Sequence, residues 1–403
     1  MQKHLNLPRL GSDTTTEINF EVKRVPSHWY KEVKMKKAKT SKSLRLIAFF
    51  LVAIILICTF GFTADGWQFK KQGNNSLPQD GSPDAPTETG DPEALPDDST
   101  DQMEENLPKY YNRLTGEETT EALSNARHTS FVISPSAPMY GISHSDLLIE
   151  FPIEDGTTRL LSFINAPSTI AKLGSLSKTR GYISNLSKAF DSPIFAYGND
   201  DSIDYQKCPT ADQFTDEDIL EDFVYTEFAR YTYTSADLIE KAFSSTDISV
   251  TDSALLLPFI FSPDDTPIKG ETYFNKISIP YSASSSTTLS YAADLYAYLF
   301  EKNGEQITDL SNGNKVYFKN CFVLFADSTT YETSDSTQMV LETIGEGAGY
   351  YFTEGTAKQI KWSLSLEGKM KFYDEKSNEL IINAGTSYIS FVKSSKIDDI
   401  VLS

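Results

Sequence analysis

The sequence predicts an α+β fold of two lobes with mixed and antiparallel sheets, an ectodomain preceded by one transmembrane helix and a disordered linker. Three observations predict it. Residues 46–64 are a 19-residue apolar run without a charge. The stretch that follows is rich in proline and acid and nearly empty of large apolar residues. From residue 109 onward, short strand-like runs are punctuated by turn signals, and few helical patterns intervene.

The apolar run, LIAFFLVAIILICTFGFTA, matches the roughly 20 residues that a helix needs to cross a hydrocarbon core. Lys31, Lys34, Lys36, Lys37, Lys39, Lys42 and Arg45 precede it as a basic collar, and such charge is retained in the cytoplasm. Residues 1–45 then read as a basic cytoplasmic tail, with 11 Lys or Arg against 4 Asp or Glu. The other 358 residues hold 25 basic against 52 acidic side chains and read as extracellular beyond the span. A cleaved signal peptide is the rival, but its charged leader is normally short, and Phe62-Thr63-Ala64 lacks the small-residue cleavage pattern. The tail's cations attract anionic lipid by about 1 kcal/mol each. A docking motif at 26–30 (PSHWY) is the alternative role for it.

Residues 65–108 read as a disordered acidic, proline-rich linker. From 72 to 108 there are six prolines and ten acidic residues with no Lys or Arg, a composition that buries too little apolar surface to offset ordering entropy.

Two regions follow, an amino-terminal α+β domain at 109–255 and a β-rich carboxy-terminal domain at 256–403. Strands are predicted at 130–134 (SFVIS), 147–151 (LLIEF) and 158–163 (TRLLSF). Thr179 is placed to cap a helix with Ile183, Leu186 and Phe190 on one face, Thr215 with Asp218 forms a capping-box pattern, and Ser235 caps a helix at 236–243. Beyond 245, strands are predicted at 276–280, 289–299, 316–325, 338–341, 359–364, 380–383 and 388–392. Ser377-Asn378 and Asn383-Ala384-Gly385 supply turns between them.

Composition removes several function classes. A net charge of −20 lacks the basic footprint that a nucleic-acid phosphate backbone requires. Three cysteines, Cys58, Cys208 and Cys321, leave one outer disulfide, Cys208 with Cys321, against a reading in which both are unpaired and Cys321 is a small buried hydrophobe.

Several runs together resemble the YerB-like extracytoplasmic proteins of Gram-positive bacteria, usually lipoproteins and classed as domains of unknown function. Asn112-Arg-Leu-Thr-Gly116 is similar to that family's Asn-Pro-Leu-Thr-Gly. Ala137-Pro-Met-Tyr-Gly-Ile-Ser-His-Ser-Asp-Leu-Leu-Ile-Glu150 and Glu154-Asp-Gly-Thr-Thr-Arg-Leu160 resemble its Gly-Leu-Ser-x-Ala-Asp-Ile-Val-Tyr-Glu and Glu-Gly-Gly-Ile-Thr-Arg. Gly347-Ala-Gly-Tyr-Tyr-Phe352, Ile360-Lys-Trp362 and Leu380-Ile-Ile-Asn-Ala-Gly-Thr-Ser-Tyr388 resemble its second domain. The resemblance implies a two-part α+β fold outside the cell and no established activity. Departures fall at Ser175-Leu-Ser-Lys-Thr-Arg180, where only the last Arg matches, and at Ala196-Tyr-Gly-Asn199 and Ala229-Arg-Tyr231, where two histidines of the family pattern are absent.

The candidate ligand-binding residues are Asp146, Glu150, Arg159 and Arg180, all at positions matching the family pattern, together with His144. Carboxylates facing guanidinium groups hold a ligand through bidentate hydrogen bonds or satisfy one another as a structural network. His144 and Asp146, two apart, would share one side of a strand and there a proton or a metal. No spacing locates further ligands, so no metal and no cofactor is expected. Neither a phosphate-binding glycine loop nor a nucleophile elbow occurs. The tyrosines at 281, 291, 296, 298, 350 and 351 either pack the sheet or stack against sugars or peptide.

The expectation is a membrane-anchored extracytoplasmic module, non-enzymatic, that binds a cell-envelope polymer or envelope protein. Its partners are the lipid bilayer through 46–64 and that envelope component, not nucleic acid. The alternative is a carboxylate-dependent cell-wall glycan hydrolase, in which one acid and one base straddle the scissile bond.

Overall fold

Strands that are buried on both faces read as near-continuous apolar runs, and this explains the most strongly patterned segments of the chain. The computed structural model describes residues 3–4, 109–198, 213–214, 222–251, 259–262, 267–270, 272–332 and 337–403. The predicted span at 46–64, the linker at 65–108, Cys208 and the Thr215–Asp218 capping box lie outside these residues. No helix among the described residues is long and apolar enough to cross a membrane.

In the first half, β1 (Thr129–Ile133), β2 (Leu147–Pro152), β3 (Thr158–Ile164) and β4 (Leu173–Leu176) precede α1 (Gly181–Ala189), β5 (Tyr225–Glu227), β6 (Tyr231–Thr234) and α2 (Ala236–Ser244). The second half contributes β7 (Lys276–Pro280), β8 (Ser286–Ala292), β9 (Ala297–Lys302), β10 (Tyr317–Phe318), β11 (Asn320–Ala326), β12 (Gly345–Thr353), β13 (Thr356–Leu364), β14 (Met370–Asp374), β15 (Ser387–Lys393) and β16 (Val401–Leu402). The fold is β-rich with few helices, and its sheets are mixed and antiparallel.

The larger sheet has 14 strands and runs β5-β6-β4-β1-β3-β2-β15-β11-β12-β13, with β14 added at β13. The two halves meet where β15 lies parallel to β2 on one side and parallel to β11 on the other. A smaller sheet of seven strands runs β16-β7-β8-β9, and Lys3–His4 pairs with β16 at its edge.

Two apolar clusters fill the two faces of the large sheet. Phe131 and Ile133 face Ile277, Leu289 and Phe300 of the smaller sheet. Val132 points the other way, toward α1, which packs Tyr182, Ile183 and Leu186 into the second cluster.

The structure alters three sequence expectations. The N-cap position of α1 is Arg180, not Thr179, and no side chain caps the helix; the Thr179 hydroxyl donates instead to Arg180 O at 3.3 Å. The run at 289–299 is not one strand but a hairpin of β8 and β9. Its turn places Tyr296 at φ 49° and lacks the glycine or asparagine that usually signals such a bend. The run at 316–325 breaks at Lys319, where two successive backbone N–H groups, of Lys319 and Asn320, both donate to Thr386 O at 3.0 and 3.1 Å. The helix at α2 begins after Ser235 as expected, and Ser377 adopts the positive φ expected of its turn. Cys321 is a buried free thiol on β11.

Gly347 on β12 lies beneath Trp362 of β13, whose indole N–H donates to Phe325 O at 3.1 Å. A Cβ at Gly347 would stand 2.5 Å from Phe325 O and 2.6 Å from the indole nitrogen. Gly347→Ala is therefore expected to destabilise the fold by about 1–3 kcal/mol, read as a lower urea midpoint.

Candidate functional site

The sheet separates the charged residues that the sequence grouped together. In the β2–β3 hairpin Glu150 stands opposite Leu160, and Arg159 stands opposite Phe151. Successive side chains of a strand point to opposite faces, so Glu150 and Arg159 cannot converge.

Glu150 is fully buried and saturated. Its carboxylate accepts from Thr158 Oγ1 at 2.6 Å, Thr287 Oγ1 at 2.6 Å, Lys302 Nζ at 2.5 Å and Tyr388 Oη at 2.5 Å. Burial pushes this carboxyl up, but the Lys302 charge and the hydrogen bonds from Lys302, Thr158 and Thr287 outweigh burial and hold it below the usual range. These partners come from β3, β8, β9 and β15, so one carboxylate bonds both sheets and both halves.

On the other face, Arg180 at the start of α1 forms a bidentate pair with Glu154, in the turn between β2 and β3. Desolvation opposes ionisation of Glu154, yet the Arg180 hydrogen bonds win and lower its pKa. Tyr182 is buried beside this pair, and desolvation pushes its hydroxyl up to about 12 against the fields of Arg180 and Arg159. Arg180, Glu154, Arg159 and Tyr182 thus form one group, and Glu150 belongs to another.

Asp146 is bound elsewhere again. Its Oδ2 lies 2.9 Å from His128 Nε2 and accepts from Asn112 Nδ2 at 2.9 Å. His144, exposed in a 3-10 turn at Ile142–His144, does not share a strand face with Asp146. Among the described residues no group of three or more His, Cys, Asp or Glu is placed to hold a metal.

Beside His144 the chain opens a cleft of about 470 Å³. Ile142, Ser143 and Ser145 line it from the first half, and Leu295, the segment 313–318 and Thr386 from the second. Buried Asp309 fixes its wall, accepting from Gly141 N at 3.0 Å, Ser143 N at 2.9 Å, Ser143 Oγ at 2.7 Å and Ser311 Oγ at 2.6 Å. Burial pushes Asp309 up, and these hydrogen bonds more than reverse it. Two large apolar side chains of the lining are open to solvent, Tyr317 at 47% and Leu295 at 42%. No motif marks this cleft in the sequence, because its walls lie some 170 residues apart; Ser143 and Asp309 are separated by 166 positions.

The shared mixed sheet, the saturated carboxylate at its seam and the cleft between the halves define a β-rich protein of two interlocked parts. Residues 114–249 match the amino-terminal domain, and residues 277–389 the carboxy-terminal domain, of a family described as a protein of unknown function, DUF3048. The chain belongs to this family, whose members are YerB-like. It is similar to the crystal structure of the YerB protein from Bacillus subtilis, with 21% identity and a TM-score of 0.63 over 73% of this chain and 100% of that one. None of the curated proteins compared with the chain matches it.

Removing one partner of a buried ion pair leaves the other uncompensated, at a cost of about 3–5 kcal/mol. Lys302→Met is expected to lose that much in urea unfolding, and adding Glu150→Gln is expected to recover part of it. Because the folded-state pKa of Glu150 is depressed, its contribution is full above the ordinary value of 4.5 and is lost as pH falls through the lower folded value. The acid unfolding limb of the double variant is therefore expected to be flatter than that of the native chain.

Proposed function

We propose that the chain is a non-enzymatic extracytoplasmic binding module, anchored by residues 46–64, spaced from the bilayer by 65–108, and holding an envelope polymer or envelope protein in the cleft between its halves. The observation that carries this reading is the cleft's lining. Its single charged residue is Lys315, and it contains no carboxylate, imidazole or thiol. Hydroxyls and amides beside an exposed tyrosine and leucine suit a polar ligand with an apolar face. Hydrolysis by carboxylates needs an acid and a base facing one opening, and Glu150 has no surface to offer.

The expected readout is saturable binding of soluble peptidoglycan fragments to the full chain in detergent, without release of new products. Tyr317→Ala is expected to weaken binding roughly tenfold, the loss of about 1.4 kcal/mol from one stacking contact. Unchanged affinity in that variant, or fragment cleavage by the native chain, overturns the reading.

Anchoring has its own test. The backbone of Lys3–His4 pairs with Leu402 and Val401, which requires both chain ends on one side of a membrane. A single crossing at 46–64 separates them. With epitope tags at both ends, the anchored topology predicts that intact cells expose only the carboxy-terminal tag. Exposure of both would favour the pairing and remove the anchor.

A further inference from the structure

The two-stranded ribbon of β5 and β6 ends in a turn that its sequence does not favour. Phe228 and Ala229 both sit at positive φ, 56° and 48°, and Arg230 N donates to Glu227 O at 3.1 Å. Two consecutive left-handed residues are the signature of a turn usually made by Asn-Gly, and a bulky aromatic there is strained. The strain is spent on exposure: Phe228 is 87% open to solvent, more than any other large apolar residue among those described.

The ribbon is held at both ends, at Tyr233 in its base and at Glu227 beside its turn. Lys172 Nζ lies 4.1 and 4.0 Å from the ring centroids of Tyr140 and Tyr233 and 2.7 Å from Glu227 Oε2. At the tip, the Arg230 guanidinium lies 5.2 Å from the centre of the Tyr231 ring. A rigid stem thus presents one aromatic ring with a cation beside it. Backbone strain that persists on a firm scaffold points to a functional tip.

We infer that this tip is a contact finger for the lipid bilayer, with Phe228 entering the interfacial layer and Arg230 meeting the phosphates. The inference rests on the membrane-anchored reading above. A protein interface would need a broad patch around the ring, and such patches are depleted in charge. Here Phe228 stands between Glu227 and Arg230 with only Ala229 beside it. An interfacial layer accepts a lone aromatic flanked by a snorkelling cation. One ring binds weakly when free, but attachment to the same bilayer, as the anchored reading has it, would keep the finger at high local concentration.

The full chain, reconstituted in vesicles of phosphatidylglycerol and phosphatidylcholine, tests this with a photoreactive p-benzoylphenylalanine in place of Phe228. Lipid adducts are expected several-fold above those from the same probe in place of Tyr273, which is 74% exposed. With the probe in place of Arg230, adducts are expected in the native background and lost with Phe228→Asn plus Ala229→Gly. That pair relieves the turn and should raise the melting midpoint by about 3 °C, so the loss cannot come from unfolding. Adducts only to protein, or no excess over the Tyr273 position, overturn the finger, while co-flotation of the chain with the vesicles leaves the anchor standing. A chain that does not co-float takes both down.

Discussion

The fold depends on one seam, the parallel pairing of Leu147–Pro152 with Ser387–Lys393, and on the carboxylate buried in it. Ser390 is the register partner of Glu150, and the hydroxyl of Tyr281 reaches Ser390 Oγ at 2.6 Å from the smaller sheet. A slip of one residue would turn Glu150 toward the face of Ile149, Phe151 and Tyr182, away from Lys302 and its hydroxyl donors. A buried ion pair adds little net stability over an apolar pair of the same volume. Its value here is discrimination: only one register gives Glu150 all four donors.

That view explains what the sequence made legible. Strands such as β2 and β15 announce themselves because their apolar runs are long enough for burial on both faces, and the turn residues Ser377 and Gly385 mark where the chain reverses. The hairpin of β8 and β9 stayed hidden because Tyr291, Leu295 and Tyr296 continue the apolar pattern through the bend. A bend without glycine or proline can be read only once the paired strands are known. The candidate residues suffered the same limit. Glu150 and Arg159 are close in sequence, but the register Phe151 to Arg159 decides which face each takes, and that register is set by packing. Lys302, the partner that makes Glu150 structural, is 152 positions away and carries no motif.

The chain keeps its strongest interior charges for assembly and leaves its cleft nearly neutral. Glu150 with Lys302, Glu154 with Arg180, and Asp191 with Arg127 at 3.0 Å are each closed by their own partners. Asp309 works in the same way: an ionised group, it binds the chain's own amides and hydroxyls and thereby shapes the cleft without entering it. The net charge of −20 serves solubility more than recognition.

Strain follows a matching division. Tyr296, 59% exposed at φ 49°, sits next to Leu295 on the cleft's rim, and Phe228 tops a ribbon clamped by Lys172. Both are large side chains on left-handed backbone at the ends of well-bonded hairpins, and neither contributes to a core. A selection acting on stability alone would place glycine or asparagine at such turns. Their retention of aromatic rings in solvent is the physical reason to look for contacts at these two tips before looking among the buried charges.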